Sequence, residues 1–285
     1  MTIVKTKEKL AQIIIYLREK QAKTGFIPTM GALHEGHLEL LKSCREKELT
    51  IVCSIFVNPT QFNDKSDFDK YPVTIEYDIY LLEKAGCEVL FLPSIEEMYP
   101  PGGKTIVNVD LGKLADILEG KFRPGHFDGV CQIVDKLIKA VQPDVLFLGQ
   151  KDYQQCMVIR KMIEQANYTI TPLIEIVPTK REESGLAMSS RNTRLSDKEK
   201  ENATIIYKAL NYINSNYKMK TTIQLQSEVE TFLLEKGFDK IDYIAVADAE
   251  TLEEVSLPDN NIRPKVALIA AYINHVRLID NILLT

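Results

Sequence analysis

Up to Pro178, short and nearly continuous apolar runs alternate with stretches whose apolar residues recur every three or four positions. The runs Thr24–Pro28, Leu49–Val57, Glu88–Leu92, Thr105–Val109, Val145–Leu148 and Ile170–Val177 are dense in Ile, Val, Leu and Phe. Bounded by Gly, Pro or polar clusters, they predict strands. Helical spacing predicts helices over Gly36–Lys47, Val73–Ala85, Asp128–Val141 and Tyr153–Gln165. A strand that is apolar at successive positions must be covered on both faces. The alternation therefore predicts an α/β fold around a parallel sheet. Sheets of this kind bind ligands at the carboxyl ends of their strands.

After Pro178 the rhythm changes. A polar stretch, Thr179–Asn192, leads to predicted helices at Ser196–Ser215 and Thr222–Lys236 and strands at Ile241–Ala247, Val266–Ile273 and His275–Leu284. This order reads as a second, smaller α+β unit beginning near residue 178. The 285 residues suffice for two such units, and 45% hydrophobic with 26% charged residues is ordinary for a globular chain. With 35 basic against 40 acidic residues the formal charge is −5, which leaves no general basic footprint for nucleic acid. Any bound phosphate must be held locally. Met1–Leu10 lacks a signal-peptide core, and runs such as Ile51–Val57 and Val266–Ile273 are too short to span a bilayer. Cys44, Cys53, Cys87, Cys131 and Cys156 are odd in number and form no C-x-x-C pair, as expected of buried free thiols in a reducing cytoplasm.

Candidate chemistry sits at the predicted strand ends. Phe26-Ile27-Pro28-Thr29-Met30-Gly31-Ala32-Leu33-His34-Glu35-Gly36-His37 carries two histidines three residues apart where a helix begins. That spacing puts them on one face, beside N–H groups and a dipole that favour an anion. Gly36 allows a phosphate or ribose close to the backbone. Alone, each histidine reads equally as a surface cap, and the spacing is not that of a helical zinc pair. Asn58 and Gln61 follow the second strand, in Phe56-Val57-Asn58-Pro59-Thr60-Gln61-Phe62. Gly149-Gln150-Lys151-Asp152 follows another, with Gln155 one turn into the next helix; there Asp152 is also a plain helix cap. Met188-Ser189-Ser190-Arg191-Asn192 offers hydroxyls and a forked donor suited to phosphate. Phe122-Arg123-Pro124-Gly125-His126-Phe127-Asp128-Gly129 leads into a helix, with Asp128 expected as its cap.

Taken together, Pro-Thr-Met-Gly-Ala-Leu-His-x-Gly-His at 28–37, Phe-Val-Asn-Pro-x-Gln-Phe at 56–62, Gly-Gln-Lys-Asp at 149–152 and Met-Ser-Ser-Arg-Asn at 188–192 resemble the pantothenate synthetase (pantoate–β-alanine ligase) family. Tyr243–Asp248 and Arg277–Asn281 are similar to it as well. His-x-Gly-His alone would indicate only the wider nucleotidyltransferase superfamily.

The resemblance implies a Rossmann-like domain for ATP and pantoate over residues 1–177, a smaller α+β lid over 178–285, and a homodimer. Leu111–Leu118 reads as interface or core. The reaction implied is attack of pantoate on ATP, giving pantoyl adenylate and pyrophosphate, then aminolysis by β-alanine. His34 and His37 would face the phosphates, with His37 the proton donor. Met30, Gly31, Ala32, Leu33, Glu35 and Gly36 would line the ATP site with them. Gly149, Gln150, Lys151 and Asp152 would contact ATP, Lys151 at phosphate and Asp152 at ribose. The backbone at Lys180 would meet adenine, although the family usually has an apolar residue there. Met188, Ser189, Ser190 and Arg191 would close over the triphosphate. Gln61, Gln155, Asn58, Pro28, Thr29, Met30, Tyr71 and Arg123 would hold the acid and amine, and Asp78 would ligate magnesium. Two other readings use the same motifs: a nucleotidyltransferase acting on a phosphorylated acceptor, and a nucleotide-binding regulatory protein.

Overall fold

The computed structural model describes residues 1–62, 68–69, 71–101, 109–259 and 261–285, so the strand expected at Thr105–Val109 falls almost wholly outside them. The chain forms two compact units, one made of Met1–Gly149 with Val158–Pro178, the other of Gln150–Met157 with Thr179–Thr285.

In the first unit the order is β1 (Thr2–Val4), α1 (Lys7–Glu19), β2 (Thr24–Thr29), α2 (Glu35–Glu46), β3 (Thr50–Ile55), α3 (Ile75–Lys84), β4 (Val89–Phe91), α4 (Ile95–Met98), α5 (Glu119–Phe122), α6 (His126–Val141) and β5 (Val145–Gly149). Then come α7 (Tyr153–Gln165), whose first residues, to Met157, belong to the second unit, and β6 (Leu173–Val177), with 3₁₀ turns at Pro59–Gln61 and Gly112–Ala115. All strand pairs are parallel, in the order β1-β4-β3-β2-β5-β6. From β2 the chain steps outward through β3 to β4, then returns to the other flank of β2 with β5. That reversal is a topological switch point, and it lies between β2 and β5. The strands are apolar because helices cover them: Phe26, Ile27, Phe91 and Phe147 are fully buried. Gly25 lets α2 lie close on β2, since a Cβ there would run into Cys44 Sγ.

The first strand and helix were not expected from the sequence. Thr2–Val4 pairs with Val89–Phe91 in parallel, and Thr6 caps α1 by accepting from Lys9 N at 3.3 Å. Leu10 and Ile14, four apart, are the buried face of α1, the one signal that could have revealed it.

The second unit contains α8 (Asp197–Ala203), α9 (Ile205–Asn216), α10 (Thr222–Glu235) and the antiparallel strands β7 (Lys240–Asp248), β8 (Lys265–Ile273) and β9 (Val276–Leu284). Its helices pack on one three-stranded sheet around Leu210, Ile213, Leu233 and Ile269. The helix expected over Ser196–Ser215 is two, because Thr204 N turns to Glu201 O and tightens the chain there. Ser196 and Glu199 form a reciprocal capping box at its start. Among the described residues, no helix is long and apolar enough to cross a membrane.

Candidate active site

The loop from β2 to α2 is held from beneath by one carboxylate. Asp78, in the first turn of α3, is fully buried. Its Oδ2 accepts from Ala32 N at 2.9 Å, and its Oδ1 accepts from Leu33 N at 2.8 Å and Thr74 Oγ1 at 3.1 Å. Gly31 (φ 80°) and Ala32 (φ 49°) both turn through the left-handed region here. Thr29 anchors the strand end by donating to Ser54 O at 2.8 Å. Asp78, expected as a magnesium ligand, turns both oxygens to main-chain and hydroxyl donors. Among the described residues no group of three or more His, Cys, Asp or Glu side chains could hold a metal. The described residues thus form no all-protein cage for magnesium, which at nucleotide sites takes one or two carboxylates together with the substrate's phosphates.

His34 and His37 open α2 as expected, with ring centroids 4.1 Å apart. His34 is the cap: its Nδ1 accepts from Gly36 N at 3.1 Å, while His37 Nδ1 accepts from His34 N at 3.2 Å. A ring nitrogen that accepts from an N–H carries no proton. On neutral rings both protons therefore sit on Nε2, and each imidazole has an Nε2–H donor at the helix N-terminus. Met30, Gly36 and both histidines are partly exposed and Glu35 is exposed, whereas Gly31 and Leu33 are buried.

A second cluster lies beyond β3. Asn58 is fully buried, and its Nδ2 donates to Gly129 O and Gln61 Oε1, both at 3.0 Å. Its Oδ1 accepts from Tyr99 OH at 2.8 Å and Thr60 Oγ1 at 3.0 Å. A carbonyl can only accept, so Gly129 fixes which way the Asn58 amide points. Asn58 in turn fixes Gln61, whose Oε1 faces inward and whose Nε2 is the opposite, donor end. Burial pushes the Tyr99 hydroxyl above its ordinary value, against hydrogen bonding to Thr60 and Asn58, so it remains a donor. Behind the main chain of Gln61, His126 Nδ1 lies 2.9 Å from its carbonyl, and Arg123 Nη1 lies 3.1 Å from His126 Nε2. Gly129 permits this approach, since a Cβ would collide with Thr60 O. Tyr71 packs edge-on against Phe62 with centroids 5.7 Å apart. Asp128 is not the expected cap, for α6 starts at His126 after a left-handed Gly125 with no side-chain cap. Sequence reasoning passed over Tyr99 and His126. The second stood inside the Arg123–Gly129 segment and was not singled out.

The remaining candidates lie at the end of β5 and in the second unit. Gly149 ends β5; Gln150, Lys151 and Asp152 form a 3₁₀ turn, and Lys151 Nζ lies 3.5 Å from Asp152 Oδ1. Gln155 is partly exposed on α7. Lys180 O accepts from Met188 N at 3.0 Å, closing a hairpin with the Arg181–Ala187 bridge. Ser189 caps the Ser190–Arg194 turn by accepting from Arg191 N at 3.3 Å. Asn192, buried, secures the turn by donating to Ala187 O at 3.0 Å. The sequence candidates thus gather into three clusters: the β2–α2 loop, the Asn58–Gln61–Arg123 network, and the two loops of the second unit.

The sequence profile of the pantoate-beta-alanine ligase family matches residues 2–283. A pantothenate synthetase of Bacteroides thetaiotaomicron is 44% identical over 285 residues, covering 99% of this chain and 98% of its own. The crystal structure of pantothenate synthetase from Thermus thermophilus superposes with a TM-score of 0.89 at 37% identity, over 99% of each chain. A pantoate-beta-alanine ligase from Francisella tularensis, solved with beta-gamma ATP and beta-alanine, gives 0.81 at 37% identity over 99% of this chain and 97% of its own.

Proposed function

The chain belongs to the pantoate-beta-alanine ligase family, and on that premise we propose that it condenses pantoate with β-alanine at the expense of ATP. The pantoate carboxylate attacks the α-phosphorus, a P–O bond to pyrophosphate breaks, and pantoyl adenylate forms. The β-alanine amine then attacks the acyl carbonyl, expels AMP and loses a proton, leaving pantothenate.

One observation supports this chemistry above the others: both imidazoles are held with the proton on Nε2 by main-chain N–H groups at their Nδ1 atoms. Adenylate formation spreads negative charge over phosphoryl oxygens, so positioned donors at a helix N-terminus stabilise it, and no covalent nucleophile is required. His37 is the assigned donor to the phosphates, with His34 beside it. Gln61, its oxygen turned inward to Asn58, offers N–H groups to the hydroxyl and carboxylate oxygens of pantoate. Gln155, Pro28, Thr29, Met30, Tyr71 and Arg123 complete the acid and amine sites in this reading. Gly149 to Asp152, Lys180 and Met188 to Arg191 bind the nucleotide. Lys151 and Arg191 are assigned to the triphosphate, and residues 178–285 to a lid that keeps water from the adenylate. Magnesium is assigned to the nucleotide's own phosphates rather than to a protein cage. A homodimer in the cytoplasm completes the proposal.

Exchange of labelled pyrophosphate into ATP tests it directly. Exchange that depends on pantoate and needs no amine is the expected result. Exchange requiring a phosphorylated acceptor would convert the reading to a nucleotidyltransferase, and none at all would leave a nucleotide-binding module. In the same assay His37→Ala should lose about 10²–10³ in kcat, the usual cost of one transition-state donor. A variant retaining wild-type turnover would take His37 out of that role.

A further inference from the structure

The reaction above gives no task to the Arg277–Asn281 segment that the sequence singled out. Asn281, on β9, is 2% exposed. Its Nδ2 donates to two successive carbonyls, Gln150 O and Lys151 O, both at 2.9 Å, and its Oδ1 accepts from Gln150 Nε2 at 3.2 Å. Both amide hydrogens and the carbonyl are thus committed to a single turn, the one that carries Lys151. The neighbouring Asp280 takes a two-pronged contact from Arg181, at 2.5 and 2.9 Å. Arg181 also donates to Asn281 O at 3.3 Å and Gly185 O at 3.2 Å, and stacks over Tyr207 with its guanidinium carbon 3.9 Å from the ring centroid. Two adjacent residues of one strand therefore hold both loops to which nucleotide binding is assigned, 150–152 directly and 181–188 through Arg181.

We propose that Asn281 is a positioning residue for the ligase reaction, fixing the Gln150–Lys151 backbone so that the Lys151 ammonium meets the triphosphate in register. This rests on the reading of Lys151 as a phosphate contact. A backbone held by two hydrogen bonds from a strand, with a third from the Gln150 side chain, keeps the flexible lysine stem on a fixed root. Without them, ATP still binds, but its phosphates lose alignment, and small misplacements of that kind are expensive in rate.

The test is a double-mutant cycle on the full chain, reading kcat and KM for each substrate in wild type, Lys151→Ala, Asn281→Ala and the double variant. Asn281→Ala should lower kcat/KM for ATP about tenfold to a hundredfold, with KM for β-alanine unchanged. In the Lys151→Ala background the same change should cost no more than about twofold, because the group it positions is gone. Asn281→Asp, which keeps the shape and acceptor but removes both donors, should reproduce the alanine result at matched thermal stability. An equal loss in both lysine backgrounds, or unfolding of every Asn281 variant, would overturn the proposal by making the residue purely structural. Wild-type kinetics in Lys151→Ala alone would instead overturn the parent reading of Lys151, and this one with it.

Discussion

At Ala32 a left-handed φ of 49° costs an L-residue about 1–2 kcal/mol, and the buried carboxylate of Asp78 offsets it by accepting from Ala32 N and Leu33 N together. The turn delivers the chain to His34 at the angle that lets His34 Nδ1 meet Gly36 N. Asp78 therefore shapes the histidine pair without touching it. Asp78→Ala leaves two main-chain donors without an acceptor and should cost about 2–4 kcal/mol in urea unfolding. Asp78→Asn keeps one acceptor oxygen and should lose less. Residual activity of the asparagine variant separates anchor from metal ligand. Its magnesium requirement should match that of wild type; an increase beyond about tenfold, the least that even an outer-shell partner of a metal costs, would support the ligand reading.

Among the elements, the apolar strands and the longer helices with an apolar face were legible, and the short β1 with the helix α1 behind it was not. The strands around Phe26, Val52, Leu90 and Phe147 announce themselves because their buried centres are apolar at successive positions, as a central parallel strand requires. β1 has three residues with only Val4 buried, too short for any period to register, and Met1–Leu10 reads as mixed charge and apolar residues. The site divides in the same way. His34, Gly36 and His37 stand within four residues, so the sequence displays them with the helix start that gives them meaning. The partners that orient the site come from far away. Asn58 meets Gly129 across 71 positions, Gln61 meets His126 across 65, and Asn281 meets Gln150 across 131. No local pattern encodes such pairings. The anchoring contacts of Asp78 were hidden for a related reason: its partners Ala32 and Leu33 stand 46 and 45 positions away.

For the molecule as a whole, acid response should be concentrated in the C-terminal unit, where Asp242, Asp248 and Asp259 are all held below the usual aspartate range. Main-chain N–H groups do this for two of them, led by Thr251 for Asp248 and by Asn261 for Asp259. Burial pushes Asp242 up, but Arg277 and Lys240 outweigh it. A carboxylate with a depressed folded-state pKa contributes stability above its unfolded value, and that contribution is lost as pH falls through the folded value. Asp280 opposes the trend: burial raises it despite Arg181, so its contribution is present at low pH and lost as pH rises. Asp248 isolates the effect. Its Oδ1 alone accepts from Glu250 N, Thr251 N and Thr251 Oγ1, at 2.9, 2.9 and 3.2 Å. Asn carries the same oxygen without the titration, so Asp248→Asn should keep the turn and remove one acid-sensitive charge. Urea midpoints measured from neutral pH downward should match wild type least near neutrality, where the charged form is favoured, and converge with it as pH falls below the ordinary value of 3.8. Because Asp248 is partly exposed, solvent screening keeps the difference modest. Parallel pH profiles for the two proteins would show that the turn at the end of β7 is held by geometry alone, without help from the charge.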